Sequence, residues 1–238
     1  YKFNGGIDLY FYEKSWFRGE GNWTQNQEHR DPESQKQRDN TYNMLIEHTL
    51  NFNKDFGKHH VDAVVGTTYQ SHEWEGLWAS RLNFPLISDE EWLHVLDAGK
   101  SNQQNTNSIS KNAMISYLGR ANYIYDDKYY FTATFRRDGT SRLSKENRWG
   151  NFPSISAAWR ISKEKFFKSS WIDDLKIRGG WGQTGNQNIG GYAWGASISK
   201  METGLGLGYR QSNIANPYVQ WETQEQFNIG LDLSLFNN

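Results

Sequence analysis

Residues 128–162 constrain the fold of this chain more than any other stretch, because apolar and polar residues alternate in two runs that a long polar loop separates. Successive side chains of a β-strand point to opposite faces, so a period of two separates an apolar face from a polar one. The apolar positions are Tyr129, Phe131, Ala133 and Phe135 in the first half and Ile155, Ala157, Trp159 and Ile161 in the second. The positions between them include Thr132, Thr134, Arg136, Ser156 and Arg160. The stretch predicts two antiparallel strands with aromatic residues on one face and arginine on the other.

Similar alternation predicts strands at 42–53, 61–70, 113–125, 175–182 and 227–235, and at least one strand within residues 1–24. Short connections near 56–59, 126–128 and 163–172 alternate with long polar loops at 25–41, 71–110, 138–149 and 183–217. Successive connections of antiparallel strands lie at opposite ends of the sheet. All short turns therefore fall at one end and all long loops at the other, which is typical of outer-membrane β-barrels.

The cost of burying charge indicates which face would meet lipid. An arginine facing lipid near the middle of a bilayer costs about 2–4 kcal/mol. Arg120, Arg136 and Arg178 all lie on the polar faces of their strands. We therefore expect the apolar faces to contact lipid and the polar faces to line a water-filled lumen.

Composition is compatible with this interpretation. Aromatic residues make up 16% of the chain, including 11 Trp and 13 Tyr, which suits membrane-interface girdles or a sugar-stacking surface. The net charge of −1 provides no basic field for nucleic acid, and the absence of cysteine excludes disulfides and thiolate metal sites. No apolar run approaches the roughly 18–20 residues of a membrane helix.

One helix is expected, inside the loop 71–110. The segment SDEEWLHVLDAG, residues 88–99, has Ser88 as a candidate N-cap with Glu91 in the capping-box position, and Gly99 suits the exit. The polar tail 100–111 that follows is expected to be a mobile part of the loop.

Three long segments carry a family resemblance. RRDGTSRL with NRWGNFPSISAAWRIS (136–143 and 147–162), LKIRGGWGQTGNQNIG (175–190) and NPYVQWETQEQFNIGLDLSLFNN (216–238) occur in this order. They resemble the SusC-type TonB-dependent outer-membrane transporters of Bacteroidota. The resemblance implies an all-β fold, an antiparallel transmembrane β-barrel segment of about eight strands from a barrel of about 22. Residues 1–238 would form part of a single barrel domain, without the plug domain and the remaining strands.

The resemblance also implies a function and partners. The protein would be part of an importer of oligosaccharides or peptides in the cell outer membrane, working with a SusD-like surface lipoprotein and commonly forming a dimer of SusC–SusD pairs. TonB–ExbB–ExbD would supply energy through a plug region outside this chain. Its surroundings would be outer-membrane lipid; no nucleic acid, cofactor, metal or catalytic residue is expected. A metal pair at His59-His60 is less favoured than a solvated turn.

The candidate ligand-binding residues lie in the long loops and the upper lumen. They are Arg136, Asp138, Arg142, Trp149, Asn186, Tyr192, Trp194 and Tyr209. Tyr and Trp side chains there can stack on sugar rings, and the charged ones can contact a ligand or the plug. The alternatives are girdle or loop-packing roles for the aromatic residues, and an ion-paired network that pins a loop to the wall for the charged ones. Trp159 and Trp181 are expected to be structural.

Two other classes of function compete with the transporter. The first is a soluble or surface-attached β-sheet module that holds glycans with its Trp and Tyr residues. The second, a secreted hydrolase, lacks a convincing pair of carboxylates on facing strands.

Overall fold

The computed structural model describes residues 1–19, 31–84, 95–190 and 193–236. These residues form ten β-strands and two single-turn 3-10 helices. Strands β1 to β5 are Lys2–Arg18, Glu33–Phe56, His59–Leu82, Ser101–Tyr125 and Tyr129–Thr140. Strands β6 to β10 are Trp149–Arg160, Ile172–Asn186, Ile198–Thr203, Gly206–Gln211 and Glu222–Leu235. The 3-10 helices are Leu96–Ala98 and Ile161–Lys163. Among the described residues no helix is long and apolar enough to cross a membrane.

Two compact units divide the chain. One comprises Tyr1–Gly6, Leu45–Gln70 and Asn112–Asn238, and the other comprises Ile7–Met44 and Ser71–Lys111. Hydrogen bonds join eight of the described strands into one sheet in the order β1-β2-β3-β4-β5-β6-β7-β10, and β8 pairs with β9 in a separate hairpin. Each strand up to β7 thus neighbours the next one in the chain. This up-and-down order confirms the predicted antiparallel all-β architecture.

The short turns follow from residues that tolerate a left-handed backbone. Gly57 has φ +63°, and Asp126 and Asp127 have φ +52° and +53°. Two consecutive positive φ values are the pattern of a type I′ hairpin turn, in which aspartate is one of the preferred residues. The turn is closed by the Lys128 amide, which donates to the Tyr125 carbonyl at 2.9 Å. The tight turns predicted at 56–59 and 126–128 are confirmed.

The long loops are shorter than predicted. Residues 33–41 belong to β2, 71–82 to β3 and 101–111 to β4, so the loop predictions for 25–41 and 71–110 were wrong for those parts. The polar tail 100–111, predicted to be mobile, is almost entirely strand. Backbone pairing with a neighbouring strand satisfies amide and carbonyl groups whatever the side chains are. Polar strands of this kind therefore escape a search for apolar alternation.

The predicted helix falls mostly outside the described residues, because 85–94 are not described. Its last part, Leu96–Ala98, forms a 3-10 turn, and Gly99 has an extended backbone with φ −76° instead of the left-handed exit expected. Among the other loops, β5 continues to Thr140, so 138–149 is reduced to residues 141–148. The loop 183–217 contains the end of β7 and the β8–β9 hairpin.

Strand register produces the two predicted faces. On one face Tyr125 lies opposite Tyr129, Tyr129 opposite Trp159, and Trp159 opposite Ile177. This face, here called the outer face, is apolar and open: Phe131 is 52% exposed, Ile155 60% and Phe227 68%. The opposite face, here called the inner face, carries Thr132, Ser156, Gly180 and Asn228 side by side. An uncovered aromatic face of this kind indicates that the outer face of the sheet lies against an apolar environment.

Candidate functional site

Ion pairs run along the inner face of the first unit. Arg178 Nε lies 3.2 Å from Asp232 Oδ1, and Lys176 Nζ lies 3.8 Å from Asp232 Oδ2. Arg160 Nε lies 2.7 Å from Asp174 Oδ1. All five side chains project from the polar positions of β6, β7 and β10. The inner face is thus charged yet locally paired, as a water-filled lumen tolerates.

An amide and hydroxyl ladder continues this polar surface toward β3. Asn122 donates from Nδ2 to Asp62 Oδ1 at 2.7 Å. Its Oδ1 accepts from Thr132 Oγ1 at 2.9 Å and from Arg120 Nε at 3.2 Å. Four adjacent strands from β3 to β6 therefore present hydrogen-bonding groups to the lumen.

A cavity of about 360 Å³ opens among these groups. Its lining includes Tyr130, Thr132, Ser156, Lys176, Arg178 and Asn228. Glycine makes room for it: a Cβ at Gly230 would lie 2.8 Å from Arg178 Cζ, so the arginine side chain lies flat across the glycine. The cavity offers cations, hydroxyls and an amide, the groups that bind sugar hydroxyls, peptide carbonyls or carboxylates.

At the long-loop end, Arg136 and Asp138 form an ion pair with a bifurcated hydrogen bond. Arg136 Nε donates to both carboxylate oxygens of Asp138, at 2.8 and 2.7 Å, and its Nη2 donates to Ser116 Oγ at 3.1 Å. The Asp138 side chain is 10% exposed and that of Arg136 43%. One side of the guanidinium is therefore still open to solvent.

Loop 141–148 is held down by a clasp of residues from the far end of the chain. Asn147 Nδ2 donates to the Pro217 carbonyl at 2.9 Å, and Trp221 Nε1 donates to the Arg148 carbonyl at 3.0 Å. Beneath the loop, the rings of Phe152 and Trp221 meet edge to face at 5.3 Å. Leu143, in the same loop, is buried, with 1% of its surface exposed. Two of the segments that carried the family resemblance, 147–162 and 216–238, therefore meet at this place.

Arg142 also belongs to this assembly, since its Nη1 donates to the Ile189 carbonyl at 3.3 Å. It thereby ties loop 141–148 to the segment after β7. Asn186 lies at the end of β7, where its Nδ2 donates to Glu222 Oε2 at 2.9 Å. Arg142 and Asn186 thus both contribute to holding the loops together.

The aromatic candidates are dispersed. Trp149 lies opposite Gly139 on the outer face, stacked on Tyr117 at 6.0 Å with the Arg137 guanidinium 5.0 Å from its ring centre. It is therefore on the face opposite to Arg136 and Asp138, in the position of a girdle residue. Tyr209, 65% exposed, projects from the β8–β9 hairpin, and Trp194 is half-buried in the preceding loop. Tyr192 lies outside the described residues.

Several contributors had not been selected from the sequence. Lys176, Arg178 and Tyr130 line the cavity, and Leu143 and Phe152 are both buried. Trp221 lies in the NPYVQWE segment, and the family resemblance of this segment was a signal from which Trp221 could have been selected. The cavity residues gave no signal beyond lying on polar strand positions.

A second ion network joins the connections at the short-turn end. Asp126 pairs with Lys58 at 2.9 Å and with Lys128 at 3.1 Å. Glu164 Oε1 accepts from Tyr129 Oη at 2.5 Å and from Trp159 Nε1 at 3.1 Å, while its Oε2 lies 3.6 Å from Lys128. The hydrogen bonds from Lys58 and Lys128 lower the pKa of Asp126, and those from Tyr129 and Trp159 lower the pKa of Glu164. The hydrogen bond to Asp126 raises the pKa of Lys128.

These shifts predict an acid-sensitive turn region. A carboxyl whose pKa is lower in the folded state than in the unfolded state stabilises the fold. The stabilisation is fully present at a pH above the pKa of the unfolded state, about 4, and it is lost as the pH falls through the pKa of the folded state. We expect the midpoint of urea unfolding to decrease between about pH 5 and pH 2. Glu164→Gln should flatten this pH dependence, because glutamine does not titrate. Glu146→Gln, an exposed change at the long-loop end, is the control; equal flattening by both would contradict the assignment.

No group of three or more histidine, cysteine or acidic residues that could hold a metal ion occurs among the described residues. His59 and His60 have separate partners: His59 Nδ1 lies 2.6 Å from Tyr123 Oη, and His60 Nδ1 lies 2.6 Å from Asp55 Oδ1. The two imidazoles therefore form hydrogen bonds with different residues.

An apolar outer face and a charged inner face on an up-and-down antiparallel sheet together define the wall of an outer-membrane β-barrel. The family described as TonB dependent receptor-like, beta-barrel, matches residues 1–238. The chain belongs to this family of outer-membrane proteins. This assignment decides against the soluble or surface-attached glycan-binding module, and it makes the turns periplasmic and the long loops extracellular.

Named relatives place the chain near the SusC-type members, as the resemblance implied. It is 37% identical over 204 residues to TonB-dependent receptor P3 of Formosa agariphila, covering 84% of this chain and 20% of that protein. It is 33% identical over 210 residues to TonB-dependent receptor SusC of Bacteroides thetaiotaomicron, covering 82% and 20%. The fold is similar to that of the RagAB peptide importer in its 'closed-closed' state, with a TM-score of 0.83 and 27% identity over 99% of this chain and 26% of that one. The chain thus spans 20% of the length of these curated relatives.

Proposed function

We propose that this chain forms part of the barrel wall and extracellular loops of a TonB-dependent importer that takes up oligosaccharides or peptides. The observation that carries the proposal is the two-faced sheet, with exposed aromatic residues outside and paired charges inside. Such a wall separates lipid from a polar passage and performs no bond chemistry. The similarity to the RagAB peptide importer supports the peptide class, and the oligosaccharide class follows from the resemblance to the SusC-type transporters.

Within this function, the inner face provides a polar path for the ligand. The cavity beside Arg178 offers hydrogen-bond donors without a strong net charge, because Asp232 lies against Lys176 and Arg178. A surface of this kind can bind a sugar or peptide weakly and release it again. At the extracellular end, Arg136, Asp138, Arg142 and Asn186, together with Trp194 and Tyr209, are proposed to contact ligand as it enters. Tyr192 belongs to the same proposal, whereas Trp149, which lies on the outer face, is proposed to be a girdle residue at the membrane interface.

Residues 1–238 are proposed to be one contiguous part of a single barrel domain. Within the described chain, β1 and β10 each pair on one side only, and unpaired strand edges are costly in a bilayer. Further strands of the same barrel would cover these edges. A plug domain would occupy the lumen and connect it to TonB–ExbB–ExbD.

A SusD-like lipoprotein is the proposed extracellular partner, and two such pairs would form a dimer. Co-purification tests this part of the proposal. The protein extracted in mild detergent should carry with it a lipid-anchored surface protein, and the particle mass from light scattering should equal two pairs. Recovery of a lone barrel under gentle extraction would contradict the partnership.

The import function can be tested before the ligand is identified. Cells with and without the gene are grown in medium supplemented with polysaccharide digests and protein hydrolysate, and the oligosaccharides and peptides left in the medium are measured by mass spectrometry. At least one set of oligosaccharides or peptides should disappear faster from the medium of cells that carry the gene. A protonophore should abolish this difference. Equal depletion of every set by both strains would contradict import of either class.

A further inference from the structure

The outer face contains a trench on five adjacent strands of the first unit, β4, β5, β6, β7 and β10. Its volume is about 630 Å³, within the range of cavities that bind small molecules. Small residues form its floor: Ala133, Ala157 and Gly179. Phe131 and Trp181 form part of its walls. A Cβ at Gly179 would meet nothing closer than the Asn228 carbonyl oxygen at 3.8 Å, so the missing side chain leaves open space.

The trench lies close to the link between β6 and β7. Ala157 lies opposite Gly179, and one row closer to the periplasm Trp159 lies opposite Ile177. Two residues along a strand correspond to about 7 Å. The link 161–171 joins these two strands immediately below. Phe166 of the link is 68% exposed and packs against Trp159, with 6.3 Å between ring centres. The link therefore lies where the apolar outer face meets the periplasmic interface.

Two cations of the link are available to a ligand. Lys165 and Lys168 are exposed and make no ion pair within the described part of the chain. The acidic groups nearby already have partners, since Asp126 pairs with Lys58 and Lys128, Glu164 with Lys128, and Asp127 with Lys163 at 3.9 Å. Two exposed lysines thus lie in the same link as Phe166, whose ring packs on Trp159, and this combination is typical of segments that lie at a membrane interface.

We propose that the trench and the β6–β7 link bind one anionic phospholipid of the periplasmic leaflet. Its phosphate lies beside Lys165 and Lys168, and one acyl chain fills the trench over Ala157 and Gly179. The trench is continuous with the lipid-facing surface, so a slim apolar chain from the bilayer is the occupant that fits it. The two unpaired lysines select a headgroup with net negative charge over a zwitterionic one.

Native mass spectrometry of the whole detergent-extracted protein tests this site. After delipidation, the protein is incubated with equal amounts of phosphatidylglycerol and phosphatidylcholine, and the bound lipid is counted. The wild type should retain phosphatidylglycerol in preference. Removing both lysines in the Lys165→Ala/Lys168→Ala variant should lower that preference by about 30-fold, since each of the two lysines near an anionic lipid contributes about 1 kcal/mol. Both side chains are exposed, so this variant should fold normally.

Two further variants distinguish binding of the lipid headgroup from binding of the acyl chain. Gly179→Leu should reduce retention of both lipids alike by filling the trench. Lys145→Ala/Lys200→Ala removes two exposed lysines from the long-loop end and should change nothing. Equal retention of the two lipids by the wild type, or equal effects of the two lysine pairs, would overturn the proposal. A lipid-free wild-type dimer that Gly179→Leu converts to single copies would assign the trench to a second copy instead.

Discussion

Replacing Ile155 by arginine is expected to lower the free energy of unfolding in lipid vesicles by about 2–4 kcal/mol. Ile155 is 60% exposed on the outer face, so nothing in the described chain covers it. It lies on β6 between Trp149 and Trp159, which are on the same face. Ten residues of a strand tilted by about 45° cover close to the height of the apolar band of a barrel, about 25 Å. Ile155 is therefore near the bilayer middle, where a charge costs most.

The matched control is Ser156→Arg, one residue along the same strand. Ser156 faces the inner cavity, where water and Asn228 are available to an added guanidinium. We expect this variant to lose much less stability than Ile155→Arg. Denaturant titration in vesicles, followed by tryptophan fluorescence, measures both. Equal losses in the two variants would contradict the assignment of the faces.

Truncating Phe152 to alanine should release the clasp over loop 141–148. Phe152 is 7% exposed and packs edge to face on Trp221. Its ring also covers two glycines: a Cβ at Gly150 or Gly185 would lie 2.4 or 2.1 Å from it. Phenylalanine-to-alanine changes at buried sites cost about 3–5 kcal/mol. The loss should appear mainly as local opening, because the ring joins loop segments at the end of the sheet.

Limited proteolysis measures this opening. Trypsin cleavage at Lys145 should accelerate by about 100-fold in Phe152→Ala, if the lost packing energy appears as an increased open population. Ile214→Ala is the control, because this side chain is 90% exposed and should leave cleavage unchanged. Unchanged cleavage in Phe152→Ala would mean that the hydrogen bonds to Pro217 and Arg148 suffice to hold the loop.

The confirmed predictions concern local patterns. Alternation from Tyr129 to Phe135 established a two-faced strand, and Asp126-Asp127 established a tight turn. The long strand β4 was partly missed because its start, residues 101–111, is polar on both sides and carries no alternation. Its backbone is held by strand pairing, which depends on residues elsewhere in the chain.

The candidate site was less accessible to sequence reasoning. The pairing of Arg136 with Asp138 could be anticipated, since positions two apart share a strand face. The contact between Phe152 and Trp221 could not, because 69 positions separate them in the chain (221 − 152). Register also decided the side of Trp149, which lies opposite Gly139 on the outer face.

The order of the residues is enough to establish an antiparallel sheet with one face for lipid and one for water. These properties depend on a period of two and on the cost of charge in lipid, and both can be evaluated one residue at a time. The clasp, the inner cavity and the outer trench required the folded chain. Each arises from gaps left by glycine and alanine beside large residues of neighbouring strands, and strand register sets which residues become neighbours.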